Sequence, residues 1–179
     1  MILYRVFPWD PGAADDQPGG ALFTPPSAYG RFDNPDLYRG LYCARTPAAA
    51  VGERFGFLTQ WRAATFRQHG SRLALATIET DDVPLSDLNL VDTLMSLRVR
   101  RVTEVATRDR SLTQPLAARI FKSGKVGGLA WWSVYFAGWQ NVMLWDHTHV
   151  RLQTPPELLS TAHPAVIDAA TTLPRMLIL

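Results

Sequence analysis

Apolar runs in this chain are short and often interrupted, and their spacing changes from stretch to stretch. Ile2 to Phe7 is an apolar run bounded by Pro8 and predicts a strand, with Arg5 inside it. The next stretch, WDPGAADDQPGGALFTPPSAYG, is dense in Gly, Pro and Asp and predicts a long surface loop. Loops of that length are often functional lids or binding loops. Leu41 to Ala44 predicts a short strand. Thr46 followed by Pro47 marks a helix start, a hydroxyl cap before a proline in the first turn. Apolar residues at Val51, Phe55, Leu58 and Trp61 extend that helix through AAAVGERFGFLTQWRAA.

Further on, Arg72 to Thr80 is the clearest strand, and DDVPLSDLNL reads as loop and short strand. Val91 to Leu97 predicts a short helix. Leu112 to Phe121 predicts a longer one, with Pro115 near its start and GKVGG ending it. The aromatic run Leu129 to Tyr135 and the run Asn141 to Trp145 predict a hairpin around a turn at Ala137 to Gln140. VRLQT adds a strand, HPAVIDAATTL a short helix, and RMLIL is apolar enough to dock on the core. No repeat or composition shift divides the chain, so one α+β domain over residues 1–179 is expected.

Composition narrows the class. A chain of 179 residues with 47% hydrophobic and 19% charged positions favours one globular domain with a real core. Thirteen prolines and twelve glycines favour loops and short elements over a helical bundle. A net charge of +2 is too weak to imply nucleic acid. The cluster Arg98, Arg100, Arg101, Arg108 and Arg110 reads as a solvated basic face, without the interleaved aromatics of a single-strand binder. Cys43 is the only cysteine, which excludes an intrachain disulfide and favours a reducing compartment. The start, MILYRVFPWD, lacks a leading basic region and makes a poor signal peptide. No apolar run is long enough for a transmembrane helix, so a cytoplasmic protein is expected.

Some chemistries find little support. His147 and His149 alternate as strand ligands would, with Asp146 adjacent, but no Cys/His cluster completes a metal site. Cys43 has no compelling histidine partner for a nucleophilic thiol, and neither a Walker motif nor GxGxxG is present. The stretch GRFDNPDLYRGLYCARTPAAAVGERF, beginning at Gly30, is more informative. Eleven residues separate Arg31 from Tyr42, and eleven separate Tyr42 from Glu53. One cation, one aromatic ring and one carboxylate thus fall on a loop, a strand and a helix in succession.

Each of these residues has a plainer role available. Arg31 presents a planar fork of donors suited to phosphate or carboxylate, or it pairs with Asp33 or Asp36 in its own turn. Glu53 is either a solvated helical carboxylate or, behind the small residues Ala48 to Gly52, a group that a ligand approaches closely. Tyr42 packs the core or a ligand ring. Ser133, among Trp131, Trp132 and Tyr135, faces a neighbouring strand or lines a pocket that stacks a planar ring. Arg5, inside an apolar strand, needs a partner, and a carboxylate or a bound phosphate would serve.

The order of these pieces resembles the RES domain family, named for its Arg, Glu and Ser, which supplies toxins of bacterial RES–Xre toxin–antitoxin systems. LYRVF resembles the family's first strand, GRFDNP its Arg motif, and LYCARTPAAAVGERF its Tyr–helix–Glu segment. TQPLAARIFKSGKVGGLAWWSVYFAGWQNVMLW resembles its helix, Gly-rich turn, serine strand and Gly-x-x-Asn ending. The resemblance implies a fold similar to ADP-ribosyltransferase toxins, a split, mostly antiparallel β core with flanking helices. It implies a site of Glu53, Arg31, Tyr42 and Ser133, with Arg5 as an added anion ligand. It implies NAD⁺ as substrate, cleaved at the nicotinamide–ribose bond by water or phosphate, with no metal. Transfer of ADP-ribose to a protein on the same site is the neighbouring alternative. An Xre-like antitoxin would be a separate chain. From another class, the alternative is a non-catalytic interaction module that uses the basic residues of 98–110.

Overall fold

The computed structural model describes residues 1–145 and 149–178. The first part of the chain forms β1 (Ile2–Trp9), β2 (Leu41–Ala44), α1 (Pro47–Phe55), β3 (Gln60–Trp61), β4 (Arg67–Gln68) and β5 (Ser71–Thr80). Then come β6 (Leu85–Asp87), α2 (Val91–Ser96), α3 (Arg110–Lys122), β7 (Gly128–Trp132) and β8 (Gln140–Leu144). The chain ends with β9 (Val150–Leu152), β10 (Glu157–Leu158), α4 (Pro164–Thr172) and β11 (Met176–Leu177). Asp146 and His147, weighed above as metal ligands, lie outside the described residues.

The main sheet runs β10–β5–β1–β2–β8–β7–β6, with β4 and β9 also on β5. Its pairings are antiparallel except that of β6 with β7, and β3 pairs with β11 in a separate parallel ladder. This is the α+β, mostly antiparallel architecture with flanking helices that was expected. Its two halves are unequally joined. β1 and β5 stay in register from Ile2↔Glu79 to Trp9↔Arg72. β2 and β8 pair from Leu41↔Leu144 to Ala44↔Asn141. β1 and β2, however, meet at one position, Tyr4↔Ala44, and then diverge.

The divergence explains why β1 runs past the predicted end at Phe7. A proline breaks a strand when it removes a ladder bond, and is tolerated where the strand's edge is open. Beyond Tyr4 the β2-side edge of β1 has no partner, so Pro8 sits inside the strand, opposite Leu73 of β5.

α1 starts as expected. The Thr46 hydroxyl accepts from the Ala49 N–H at 3.2 Å, with Pro47 in the first turn. The helix ends at Phe55 rather than continuing through Trp61. Trp61 is fully buried on β3, and its indole N–H donates back to the Phe55 carbonyl at 3.1 Å. A buried tryptophan needs both an apolar site and an acceptor, and turning the chain after Phe55 supplies both. The helical spacing of Leu58 and Trp61 was therefore coincidental.

Strand alternation sorts the core. One sheet face carries Leu3, Phe7, Leu41, Cys43, Ala74, Ala76, Val142 and Leu144, covered in part by Ala21 and Leu22 of the long loop. The other face bears two separate clusters. One joins α1 and α4 to Leu73, Leu75 and Ala44. The second joins α3, Phe32 and Tyr38 to Leu129, Trp131 and Met143. The parting of β1 and β2 lies beside the gap between them.

Gly52 fixes how closely α1 approaches the sheet. A Cβ there would fall 2.1 Å from Cζ3 of Trp139. Gly52→Ala is expected to cost about 1–3 kcal/mol through overpacking, read as a lower urea midpoint. An unchanged midpoint would show that α1 does not rest on Trp139.

Candidate active site

The register places Tyr4, Ala44, Asn141 and Trp131 side by side across β1, β2, β8 and β7. Residues directly opposite on neighbouring strands share a sheet face, so the four form one row. Ala44 has the smallest side chain in it, and a hollow opens there. All four line a cavity of about 290 Å³, with Glu53 and Ala50 of α1 on its wall. A second cavity, of about 250 Å³, shares Arg5 and Tyr42 with the first and reaches Thr24 and Ser27 of the long loop.

Glu53 is only half-buried, but its Oε1 is fully buried and has no hydrogen-bond partner. Arg31 approaches from the opposite cluster. Its guanidinium lies 5.1 Å from the Phe32 ring centre, donates through Nη2 to the Val105 carbonyl, and keeps a buried Nε with no partner. Burial lowers the Arg31 pKa from its usual value, and the Glu53 carboxylate, followed by Tyr42, opposes that shift. The Glu53 charge thus acts on Arg31, and each keeps a polar atom uncommitted, although Arg31 is not among the residues lining either cavity. Asp33, considered above as the partner of Arg31, is used elsewhere.

Asp33 and Tyr42 build the loop that aims Arg31. The Tyr42 hydroxyl donates to Asp33 Oδ1 at 2.8 Å and accepts from the Phe32 N–H at 3.1 Å. Asp33 Oδ2 accepts from the Gly30 N–H at 2.7 Å. A side chain at Gly30 would put its Cβ 2.5 Å from both Asp33 Oδ1 and the Tyr42 hydroxyl oxygen, so glycine is required there. Burial, with the Asp33 charge behind it, raises the Tyr42 pKa, so the phenol stays protonated. Tyr42 thus reaches the cavity with its ring, while its hydroxyl orders the Arg31 loop.

Arg5 and Ser133 are placed differently from the first three. By alternation Arg5 belongs to the opposite row from Tyr4. Nη1 and Nη2 donate to the carbonyls of Ala21 and Phe23 at 2.6 and 2.8 Å, so its partners are loop carbonyls rather than a carboxylate. It lines the wall shared by both cavities. Ser133 is buried just beyond β7 and is not among the residues lining either cavity. Its Oγ accepts from the Tyr135 N–H at 3.0 Å, and its own N–H donates to the Trp139 carbonyl at 2.8 Å. It closes the β7–β8 connection and so sets Tyr135, whose hydroxyl accepts from Arg108 at 3.0 Å.

Asn141, the last residue of the Gly-x-x-Asn ending, has a buried Oδ1 with no partner, and Trp131, one of the aromatics weighed as a pocket wall, packs edge-on against both Phe32 and Tyr42. The sequence did not show that the two lie opposite each other on neighbouring strands. The basic cluster also does not form one face. Arg108 and Arg110 sit at the N-terminal end of α3, where Arg110 reaches the Ala28 carbonyl. Arg98 instead joins Arg119 and Lys125 around a cavity of about 480 Å³ at the other end of α3. Cations there are favoured by the unpaired carbonyls that end a helix.

The sheet, its parting and the polar groups around the cavity define an α+β protein with a cleft between two half-sheets. The RES domain family matches residues 2–168, and the chain belongs to that family. The fold is similar to a chain of the M. tuberculosis MbcT–MbcA toxin–antitoxin complex, with a TM-score of 0.66 and 13% identity. That likeness covers 97% of this chain and 88% of the other. No curated protein matches the sequence.

Tyr42→Phe strands the Phe32 N–H and one Asp33 oxygen, and is expected to cost about 1–3 kcal/mol in chemical unfolding. An unchanged unfolding midpoint would deny Tyr42 its role in ordering the loop. Burial pushes the Cys43 thiol up to about 12. A thiol reagent at pH 8 is therefore expected to label Cys43 only after unfolding, because the thiolate is the reactive form; rapid labelling of the native protein would contradict this.

Proposed function

We propose that this protein degrades NAD⁺ by cleaving the nicotinamide–ribose bond, as the toxin of a toxin–antitoxin pair. The carrying observation is Glu53 on the wall of a cavity, with a buried Oε1 that has no partner and a charge that acts on the nearby Arg31. An unsatisfied buried acceptor costs about 1–3 kcal/mol, so a carboxylate oxygen held this way suits a ligand that supplies a donor or positive charge. Membership of the RES family and likeness to a chain from a toxin–antitoxin complex support the same reading.

The chemistry fits the residues. Small-molecule sites usually span about 300–1,000 Å³, so a cavity of about 290 Å³ takes one end of a dinucleotide. The nicotinamide–ribose end fits its aromatic and acidic lining. Arg31, and Arg5 at the wall shared with the second cavity, are the cations available for the pyrophosphate. As the C1′–N bond breaks, its electron pair leaves with the ring, which departs as neutral nicotinamide. Positive charge develops on the ribose, as in glycoside cleavage. The Glu53 carboxylate stabilises that charge and holds a ribose hydroxyl. Water then attacks C1′ and loses its proton, or phosphate attacks in its place. The bond weakens without a metal, because nicotinamide is already a good leaving group. Ser133 acts by holding the Tyr135 loop beside the site. The antitoxin is a separate protein, of the Xre type that the family resemblance implies.

The test is release of nicotinamide from NAD⁺ by the purified chain, with and without phosphate. Glu53→Gln is expected to lower kcat about 10²–10³-fold, with the unfolding transition intact. Turnover unchanged in that variant would remove Glu53 from the mechanism. Radioactivity passing from labelled NAD⁺ to a protein, without free ADP-ribose, would redirect the reading to protein modification.

A further inference from the structure

Two helices end beside the same hollow. Ser96, Leu97 and Arg98 at the end of α2, and Arg119 and Ser123 at the end of α3, line a cavity of about 480 Å³ with Lys125 just beyond. It shares no residue with the two cavities near Glu53 and Arg5. α2 closes with two backbone bonds. The Arg98 N–H donates to the Met95 carbonyl, and the Val99 N–H to the Leu94 carbonyl, both at 2.9 Å. This closure holds Arg98 at φ 56°, where glycine is the default because a Cβ is crowded there. α3 follows that rule, with Gly124 at φ 64° after its own end. α2 carries an arginine at the equivalent position, so backbone preference did not select it. A residue kept in a disfavoured conformation is a pointer to function.

The helix ends account for only part of the charge. Each collects roughly half a negative charge from its unpaired carbonyls, and Arg119 Nη2 donates to the Leu97 carbonyl at 2.7 Å. Three cations line the cavity, and no carboxylate does. No ion pair among the described residues uses Arg98, Arg119 or Lys125.

We propose that this cavity is a binding site for the phosphoryl group of a small ligand, separate from the Glu53 cavity. The inference does not depend on the NAD⁺ reading. Guanidinium and ammonium groups only donate, so they call for an acceptor-only, multiply charged group. Two arginines offer paired N–H donors to phosphate oxygens, and a lysine adds a point charge. A phosphoryl dianion offsets more of the excess charge than one carboxylate does. The Ser96 and Ser123 hydroxyls donate to the Thr93 and Ile120 carbonyls at 2.8 and 2.6 Å, which leaves oxygen lone pairs for the hydroxyls of an organic body. Ile120 and Val126 add apolar surface. No aromatic ring lines the cavity, so it lacks the platform on which a nucleic-acid base stacks.

The experiment titrates the intact protein with glucose 6-phosphate, inorganic phosphate and glucose by calorimetry at low salt. Glucose 6-phosphate is expected to bind and glucose is not. Tighter binding of the ester than of inorganic phosphate assigns the site to phosphate esters, and equal binding assigns it to the free ion; both keep a phosphate site. Arg98→Gly is expected to weaken binding about tenfold or more, the worth of a hydrogen bond between charged groups. Its melting temperature is expected to equal or exceed that of wild type, because glycine suits the backbone there. Lys125→Gln is expected to weaken binding in the same direction, and Arg31→Ala to leave it unchanged. Binding of neither phosphate would overturn the proposal, as would binding of a hexaglutamate peptide alone, which would make the cavity a docking surface for an acidic protein. Binding that survives in both Arg98→Gly and Lys125→Gln but is lost in Arg31→Ala would overturn it by moving the anion to Arg31.

Discussion

Everything in this molecule that faces the cavity depends on the brevity of one strand pairing. Among the described residues, β1 and β2 pair at one position, Tyr4↔Ala44. A longer ladder would close the sheet and bring the two helical clusters on its outer face together. With one point of contact, each half keeps its own hydrophobic cluster, one under α1 and α4, the other under α3 and the Phe32 loop. Packing is dense within each cluster and yields between them. The cavity is the remainder of two cores that do not merge, and its floor is the row of residues passing through the single bridge.

Around that gap the polar groups divide into two kinds. Arg5, Asp33, Tyr42 and Ser133 direct side-chain atoms at backbone groups and so define loop shapes. Arg31, Glu53 and Asn141 each keep a buried polar atom unmatched. Native proteins rarely leave such atoms orphaned, and two of these three residues, Glu53 and Asn141, line the cavity. The two groups are linked: Tyr42 and Asp33 hold the loop that carries Arg31.

Local signals carried the sequence reading far. Thr46 and Pro47 start α1, β5 and the aromatic run of β7 read correctly, and Tyr42 and Glu53 line one cavity, while Arg31 does not. What stayed hidden depends on partners distant in sequence. Pro8 lies within β1 because a neighbouring strand diverges from it. Trp61 reads as helical by spacing, yet it is buried on β3 against the C-terminal Leu177. Asn141 gains its meaning only from register, since a shift of one residue would turn it to the other face. Ser133 looked like a ligand-facing strand residue, but the chain turns immediately after β7 and its hydroxyl serves that turn.

Glu53 lies in the last turn of a nine-residue helix, the end at which unpaired carbonyls gather negative character. A carboxylate there is poorly suited to the helix, and Arg54 in the same turn is drawn off toward Gln68. The ordinary remedy is a cation at the helix end, and Arg175 supplies it by donating to the Gly56 carbonyl at 2.8 Å. The end of α1 that carries Glu53 is therefore pinned by the segment after α4, and a change at Arg175 would reach the cavity wall without touching it.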